Sequence, residues 1–412
     1  MNIKKKRLFV LAATIVINLC IGSGYAWSVF AGPLVKEFGW TAAATALTFT
    51  VANSVSPVMM ITGGKLQDKF GPRWVIFAGG ILYGGGIYLS SMTTSVTWLY
   101  ATYGITGGFG MGLVYSSTIA NAVKFFPEKR GLVSGLVTGG YGFGPVIFAP
   151  ILQRIIAASG VLFTFKVLGL LNILVITFGS QFIATAPANY IPEGWTPPQS
   201  KTSSISSDKT WLQMISDPVF YLLFLMLTFG ATSGLMIISQ ASTIAQDMVL
   251  VNAGTAAIAV SMVAIANTSG RIIWGVISDK FGRYNVLPVM YVLSASMMFL
   301  LTTVKEGQLL LFTACAMTIG FCFGGFMGVF PALTADSFGT KNNGINYGIM
   351  FIGFALGGYI GPMLAANIKA ANNGDYTKAF LIASLLSVIG ILLTFAVRIL
   401  KKRITLQFKQ AM

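Results

Sequence analysis

The chain has 412 residues, 55% of them hydrophobic and 9% charged, with a mean hydropathy of +0.77 and a formal net charge of +16. A soluble domain carries about 25% charged residues, so a water-soluble globular protein is excluded, and the lack of any histidine removes imidazole catalysis and the commonest metal ligand. The basic excess is not a nucleic-acid surface: it falls in short runs such as KKKR (4–7) and KKR (401–403) beside apolar segments, as in loops held on the cytoplasmic side.

Apolar runs of about 20 residues, enough for a helix to cross a bilayer, recur along the whole chain between charges, prolines and glycines. They predict an all-α integral membrane protein with twelve helices. The first six lie near 8–32, 43–66, 73–92, 97–122, 131–155 and 160–184. The first has a basic flank, but it is too long for a signal-peptide core and no clear cleavage site follows it. A stretch rich in Pro, Ser and Thr then reads as a cytoplasmic linker over 185–216, with a short interfacial helix around Trp211 to Ile215. The second six helices lie near 218–242, 254–278, 285–303, 308–336, 342–366 and 376–399. The predicted domains are therefore an N-terminal six-helix bundle (1–184), the linker, and a C-terminal six-helix bundle (217–412).

With the N-terminus inside, 20 of the 27 Lys and Arg residues fall in or beside cytoplasmic segments. Lys36, Arg154, Lys166, Lys305, Lys369 and Lys378 lie toward the outer side, which leaves Arg271 alone within a span. Both termini are expected in the cytoplasm, and the protein in the inner (cytoplasmic) membrane of the cell. Cys20, Cys315 and Cys322 lie in apolar segments without zinc spacing and read as small buried hydrophobes. No cofactor or metal is expected, and a monomer is.

The halves repeat one another. GKLQDKFGPR (64–73) follows the second span and GVISDKFGR (275–283) the eighth. GLVSGLVTGGYGFG (131–144) is echoed by GINYGIMFIGFALG (344–357), pairing Gly131 with Gly344, Gly135 with Gly348 and Gly144 with Gly357. Six-plus-six duplication is a transporter pattern. In the loop copies, Gly64 and Gly275 allow neighbouring helices to approach, and Asp68 and Asp279 can accept from the first amides of a facing helix. Lys69, Arg73, Lys280 and Arg283 would hold the cytoplasmic face. The glycine runs GGFGMG (107–112), GGYGFG (139–144) and GFALGG (353–358) lie inside spans, so they serve close helix packing rather than nucleotide binding.

The paired G-x-[LI]-x-D-K-x-G loops and the six-plus-six layout resemble the major facilitator superfamily over the whole chain. GYAWSVFAGPL (24–34), FFPEKRGLVSG (125–135), YGFG (141–144), NTSGRIIWGVISDKFGR (267–283) and GINYG (344–348) more closely resemble the oxalate:formate antiporter family, relatives of the monocarboxylate transporters. That resemblance implies a carrier of small organic anions working by alternating access, with Asp68, Arg73, Asp279 and Arg283 in a latch that breaks and reforms. A plain topological anchor is the other reading of the loops. The resemblance also implies that aromatics near Gly or Ser line a central cavity: Tyr25, Trp27, Tyr115, Tyr141, Phe323 and Phe326. Ordinary packing is their alternative. The tyrosines are the stronger candidates, because a phenol in hydrocarbon needs a partner.

Arg271 is the centre of the reading. A cation within the bilayer is costly unless it meets a cavity or partner, and a guanidinium fork suits a carboxylate. Snorkelling is the competing account, since Arg271 lies about seven residues from the cytoplasmic end of its helix. Asn267, one turn earlier, shares its face. The resemblance then narrows the charge. Oxalate exchangers carry a second cation, a Lys, in the eleventh span, where this chain has Phe354. One cation suits a monocarboxylate such as lactate, pyruvate or formate; oxalate/formate exchange is the alternative. Proton-linked relatives place an Asp where this chain has Asn267, so protons and anion exchange both remain candidates for coupling. A membrane enzyme would need a cluster of nucleophile, base or metal ligands in the spans, and none exists. A transporter-like sensor is the remote alternative, with tails too short for a signalling appendage.

Overall fold

The computed structural model describes residues 3–187, 190–192 and 208–410, and every regular element among them is helical. The elements are α1 (Ile3–Ile21), a 3-10 turn (Gly22–Ala26), α2 (Trp27–Phe38), α3 (Ala42–Phe70), α4 (Pro72–Leu89), α5 (Val96–Leu99), a π-helical stretch (Tyr100–Gly107), α6 (Gly108–Phe125) and α7 (Arg130–Ser180). There follow α8 (Trp211–Ile215), α9 (Pro218–Met248), α10 (Ala253–Phe281), α11 (Arg283–Leu301), α12 (Leu309–Phe338), α13 (Asn343–Ala371) and α14 (Thr377–Gln410). Among the described residues, ten helical segments are long and apolar enough to cross a membrane. One of them, Arg130–Ser180, is two helices joined at Gly160, whose φ of 81° and ψ of 169° belong to no helix. The composite rod Val96–Phe125 adds another, which completes the twelve-helix layout.

Local chemistry sets where these helices begin and end. Thr41 caps α3 by accepting from the Ala44 amide, and Asn252 caps α10 by accepting from Thr255. Thr210 and Gln213 form a capping box on α8, the short helix expected at that place in the linker. Of the rest of the predicted linker, 188–189 and 193–207 lie outside the described residues. The two D-K-F-G loops turn the same way. Gly71 (φ 79°, ψ 157°) ends α3 and Gly282 (φ 86°, ψ 138°) ends α10, backbone angles that an L side chain resists.

The first span departs from a continuous helix over 8–32. It breaks at GSGYA, where α1 gives way to the 3-10 turn. A Cβ on Gly22 would fall 2.1 Å from the Tyr141 carbonyl oxygen, so this turn lies directly against α7. A backbone carbonyl in hydrocarbon needs an internal donor, and the Trp27 amide serves that of Gly24. The Tyr83 hydroxyl donates to the Ile21 carbonyl at 2.9 Å, and Tyr103 reaches Gly24 at 3.5 Å.

The chain forms two compact units. Unit 1 is Met1–Glu128, Val137–Trp195 and Thr340–Ile349; unit 2 is Lys129–Leu136, Thr196–Gly339 and Met350–Met412. Each unit therefore includes the first turns of a helix whose remainder belongs to the other. In unit 1, glycines of α6 meet backbone on both sides. A Cβ on Gly112 would lie 2.3 Å from the Ser56 carbonyl, and one on Gly110 would lie 2.2 Å from the Tyr83 nitrogen. This is the close packing expected of GGFGMG.

Candidate functional site

In unit 2, Arg271 is only 2% exposed although its helix is otherwise apolar around it. Its position is set by glycine. On α12, Gly320, Gly324 and Gly328 recur every four residues and face Val263, Asn267 and Arg271 on α10. A Cβ on Gly324 would lie 1.9 Å from the Asn267 carbonyl oxygen, and one on Gly328 or on Gly135 would lie 2.2 Å from that of Arg271. The backbone carrying Asn267 and Arg271 is thus pressed between two helices with no room for a methyl group. The Asn267 side-chain oxygen is buried without a hydrogen-bond partner among the described residues.

The unit 2 aromatics divide. The Phe323 and Phe354 rings lie 6.3 Å apart at 27°, and Phe354 stacks on Phe351 at 4.4 Å. Phe326 instead packs on Tyr291 at 4.7 Å and closes over Gly230, as an interior filler. In unit 1, Tyr141 is the hub. Its ring is 4.8 Å from that of Tyr25 and 5.0 Å from that of Tyr115, and its hydroxyl contacts the Met111 sulfur at 3.2 Å. Trp27 joins a different group, 4.5 Å from the Tyr103 ring and beside Phe165. A void of about 10 Å³ bounded by Asn53, Tyr83, Tyr103 and Tyr141 has room for about one water molecule.

Asp279 accepts from the Gly131 and Leu132 amides at 2.8 Å each, so its carboxylate caps the first turn of α7, where the helix dipole favours an anion. A Cβ on Gly275 would lie 2.3 Å from the Gly131 carbonyl oxygen, which explains the glycine. Arg283 pairs with Asp279 at 3.2 Å and with Asp336 at 3.0 Å, and Asp336 also pairs with Arg130 at 2.6 Å. In unit 1, Gly64 plays the matching part, with its Cβ direction 2.2 Å from the Ile345 nitrogen. Arg73 donates to Gln181. The Asp68 side chain lies outside the described residues.

Comparison with known proteins decides the family. The sequence model described as Major Facilitator Superfamily matches residues 12–250 and 231–410. The chain belongs to the major facilitator superfamily. The oxalate:formate antiporter of Oxalobacter formigenes is 32% identical over 94% of this chain and 91% of its own length. An uncharacterized MFS-type transporter of Escherichia coli K12, YhjX, is 32% identical over 86% and 87%. Among solved structures, the proton:xylose symporter XylE aligns with a TM-score of 0.75 at 14% identity, covering 95% of this chain and 96% of that one; that likeness concerns the fold.

For this facilitator, reading the sequence missed three features. The glycine ladder on α12 was legible, as G-x-x-x-G-x-x-x-G over 320–328. Asp336 and Arg130 carried no local signal, because their pairing depends on which helix ends meet. The π-helical stretch Tyr100–Gly107 has no pattern that separates it from an ordinary helix.

Proposed function

We propose that this transporter carries small monocarboxylates, such as lactate, pyruvate or formate, across the inner membrane by alternating access. Both termini would lie in the cytoplasm, and the driving reaction would be proton symport or anion exchange. The observation that carries the reading is Arg271, a guanidinium 2% exposed in an apolar span. Its planar fork matches a carboxylate. Asn267, one turn away with a buried side-chain oxygen, is the neighbouring polar group, and the hydroxyls of Tyr25, Tyr115 and Tyr141 are further candidate ligands. Phe323 and Phe354 supply an apolar wall. With Phe354 in place of a second cation, one positive charge balances one negative charge. The loop residues Asp68, Arg73, Asp279 and Arg283 belong in this reading to a latch that opens during the cycle. The second reading, oxalate/formate exchange, draws support from the 32% identical relative.

Counterflow in proteoliposomes preloaded with one radiolabelled acid and challenged with a panel tests the substrate class. Losing a charge-assisted bidentate contact of about 1.5–3 kcal/mol should weaken binding by Arg271→Gln roughly 10- to 100-fold. Arg271→Lys should recover only part of it. Wild-type lactate affinity in purified Arg271→Gln, by calorimetry, would remove Arg271 from the site. Strong counterflow with oxalate but none with monoacids would favour the second reading.

A further inference from the structure

At the end of unit 2 away from the D-K-F-G loop, three helix ends enclose a second polar cluster. The Lys369 ammonium, near the end of α13, lies 2.5 Å from the Asp247 carboxylate at the end of α9. The Tyr376 hydroxyl, just before α14, donates to the same carboxylate oxygen at 2.8 Å. The ammonium also stands 5.5 Å from the centre of the Tyr376 ring. Burial pushes the Tyr376 phenol above its ordinary pKa, so it stays a donor. Beside this cluster opens a cleft of about 390 Å³, walled by Gln240 and Thr243 from α9 and by the small residues Ala366, Ala370 and Gly374. That volume falls within the range of small-molecule sites, roughly 300–1,000 Å³.

The cluster already shows how a carboxylate sits there: one oxygen receives an ammonium and a phenol. The carboxylate in place is the protein's own. Lys369 and Asp247 are 35% and 36% exposed, and ion pairs that wet contribute little to stability. The Lys369–Asp247 pair therefore adds little to stability, although Tyr376 also donates to Asp247. The small side chains leave space for a second carboxylate, and Gln240 and Thr243 add an amide and a hydroxyl to the same wall.

We propose that Lys369 and Tyr376 form a peripheral receiving site for small carboxylate anions, separate from Arg271, with Asp247 as its built-in competitor. On the orientation proposed above, the site faces the outside and takes the anion before translocation. The inference rests on the carboxylate reading of the transporter.

The sign of two substitutions distinguishes this from a structural clasp. If the site receives substrate, Lys369→Gln raises the KM for lactate uptake about 5- to 10-fold with little change in kcat. Asp247→Asn removes the competitor and lowers KM about 2- to 5-fold. Lys369→Arg keeps KM near the wild-type value. If the pair is only a clasp, Asp247→Asn and Lys369→Gln act alike, lowering the thermal midpoint without moving KM in opposite directions. The measurement is initial-rate uptake of radiolabelled lactate into proteoliposomes, with the thermal midpoint of each purified variant. Should Lys369→Gln not fold, Asp247→Asn with an unchanged or raised KM overturns the proposal. Wild-type protein that moves no member of a panel of lactate, pyruvate, formate and oxalate overturns the carboxylate reading itself. Uptake that needs Arg271 but shifts the same way in both peripheral variants overturns this inference alone.

Discussion

In unit 1 the D-K-F-G loop ends on Arg73, whose guanidinium bonds the neutral Gln181 and lies 5.4 Å from the centre of the Trp74 ring. In unit 2 the matching loop ends on Arg283, which pairs with two carboxylates, one of them shared with Arg130. The two turns share a backbone: both need a positive-φ glycine, and both follow a glycine that lets a neighbouring helix touch the chain. Among the described residues they differ in one partner: Arg73 meets the neutral Gln181, whereas Arg283 meets Asp336. Duplication thus preserved what the loop needs to turn, while this partner of the arginine differs between the copies. The unit 2 network sits on the start of α7, where Asp279 already caps the helix.

The comparison breaks most easily at the cap. Asp279→Ala removes two bonds from backbone amides to a charged acceptor together with one arginine pair, and should cost about 2–3 kcal/mol of stability. Thermal unfolding of purified protein checks it, and a midpoint equal to wild type would mean that the cap does not hold α7. The turn itself should behave alike in both copies. Gly71→Ala and Gly282→Ala each force a side chain into strained backbone and should cost about 1–2 kcal/mol. A marked inequality between their midpoints would show that the loops do not share one backbone logic. The smallest effect is expected at the charges. Asp336→Asn, at a side chain 35% exposed, should cost about 0.5–1 kcal/mol, and less at high salt. Gln181→Ala, its counterpart in unit 1, should show no salt dependence. A salt-dependent loss at Gln181 would erase the contrast between the two loops.

Much of the fold was legible because lipid imposes long apolar runs, and a run is a local property. The twelve spans and the short helix at Trp211–Ile215 followed from such runs and their punctuation. Arg271 was legible for the same reason: one charge in an apolar run stands out without any partner in view. The break at Gly22–Ala26 was less legible, since glycine permits a 3-10 turn without requiring it. What decides it is the α7 backbone lying against Gly22, a contact between distant parts of the sequence. The division among the aromatics was hidden likewise. Phe323 and Phe326 lie on one helix only three residues apart, yet one ring faces Phe354 and the other Tyr291. Which way each points depends on neighbours that composition does not reveal.

The tyrosines at the break in the first span have a further consequence. A joint in a soluble protein can bend freely because water stands ready to bind whatever backbone it uncovers. Hydrocarbon offers no such reserve. Tyr83 acts here as a tethered stand-in for water at the Ile21 carbonyl, and Tyr103 adds a longer contact to the Gly24 carbonyl, which the Trp27 amide already meets. Ser23, 3.2 Å from the Tyr83 hydroxyl, gives that hydroxyl a second place to turn. The break is thus held by hydroxyls the protein already owns, and those bonds, as much as its glycines, fix the pitch it adopts.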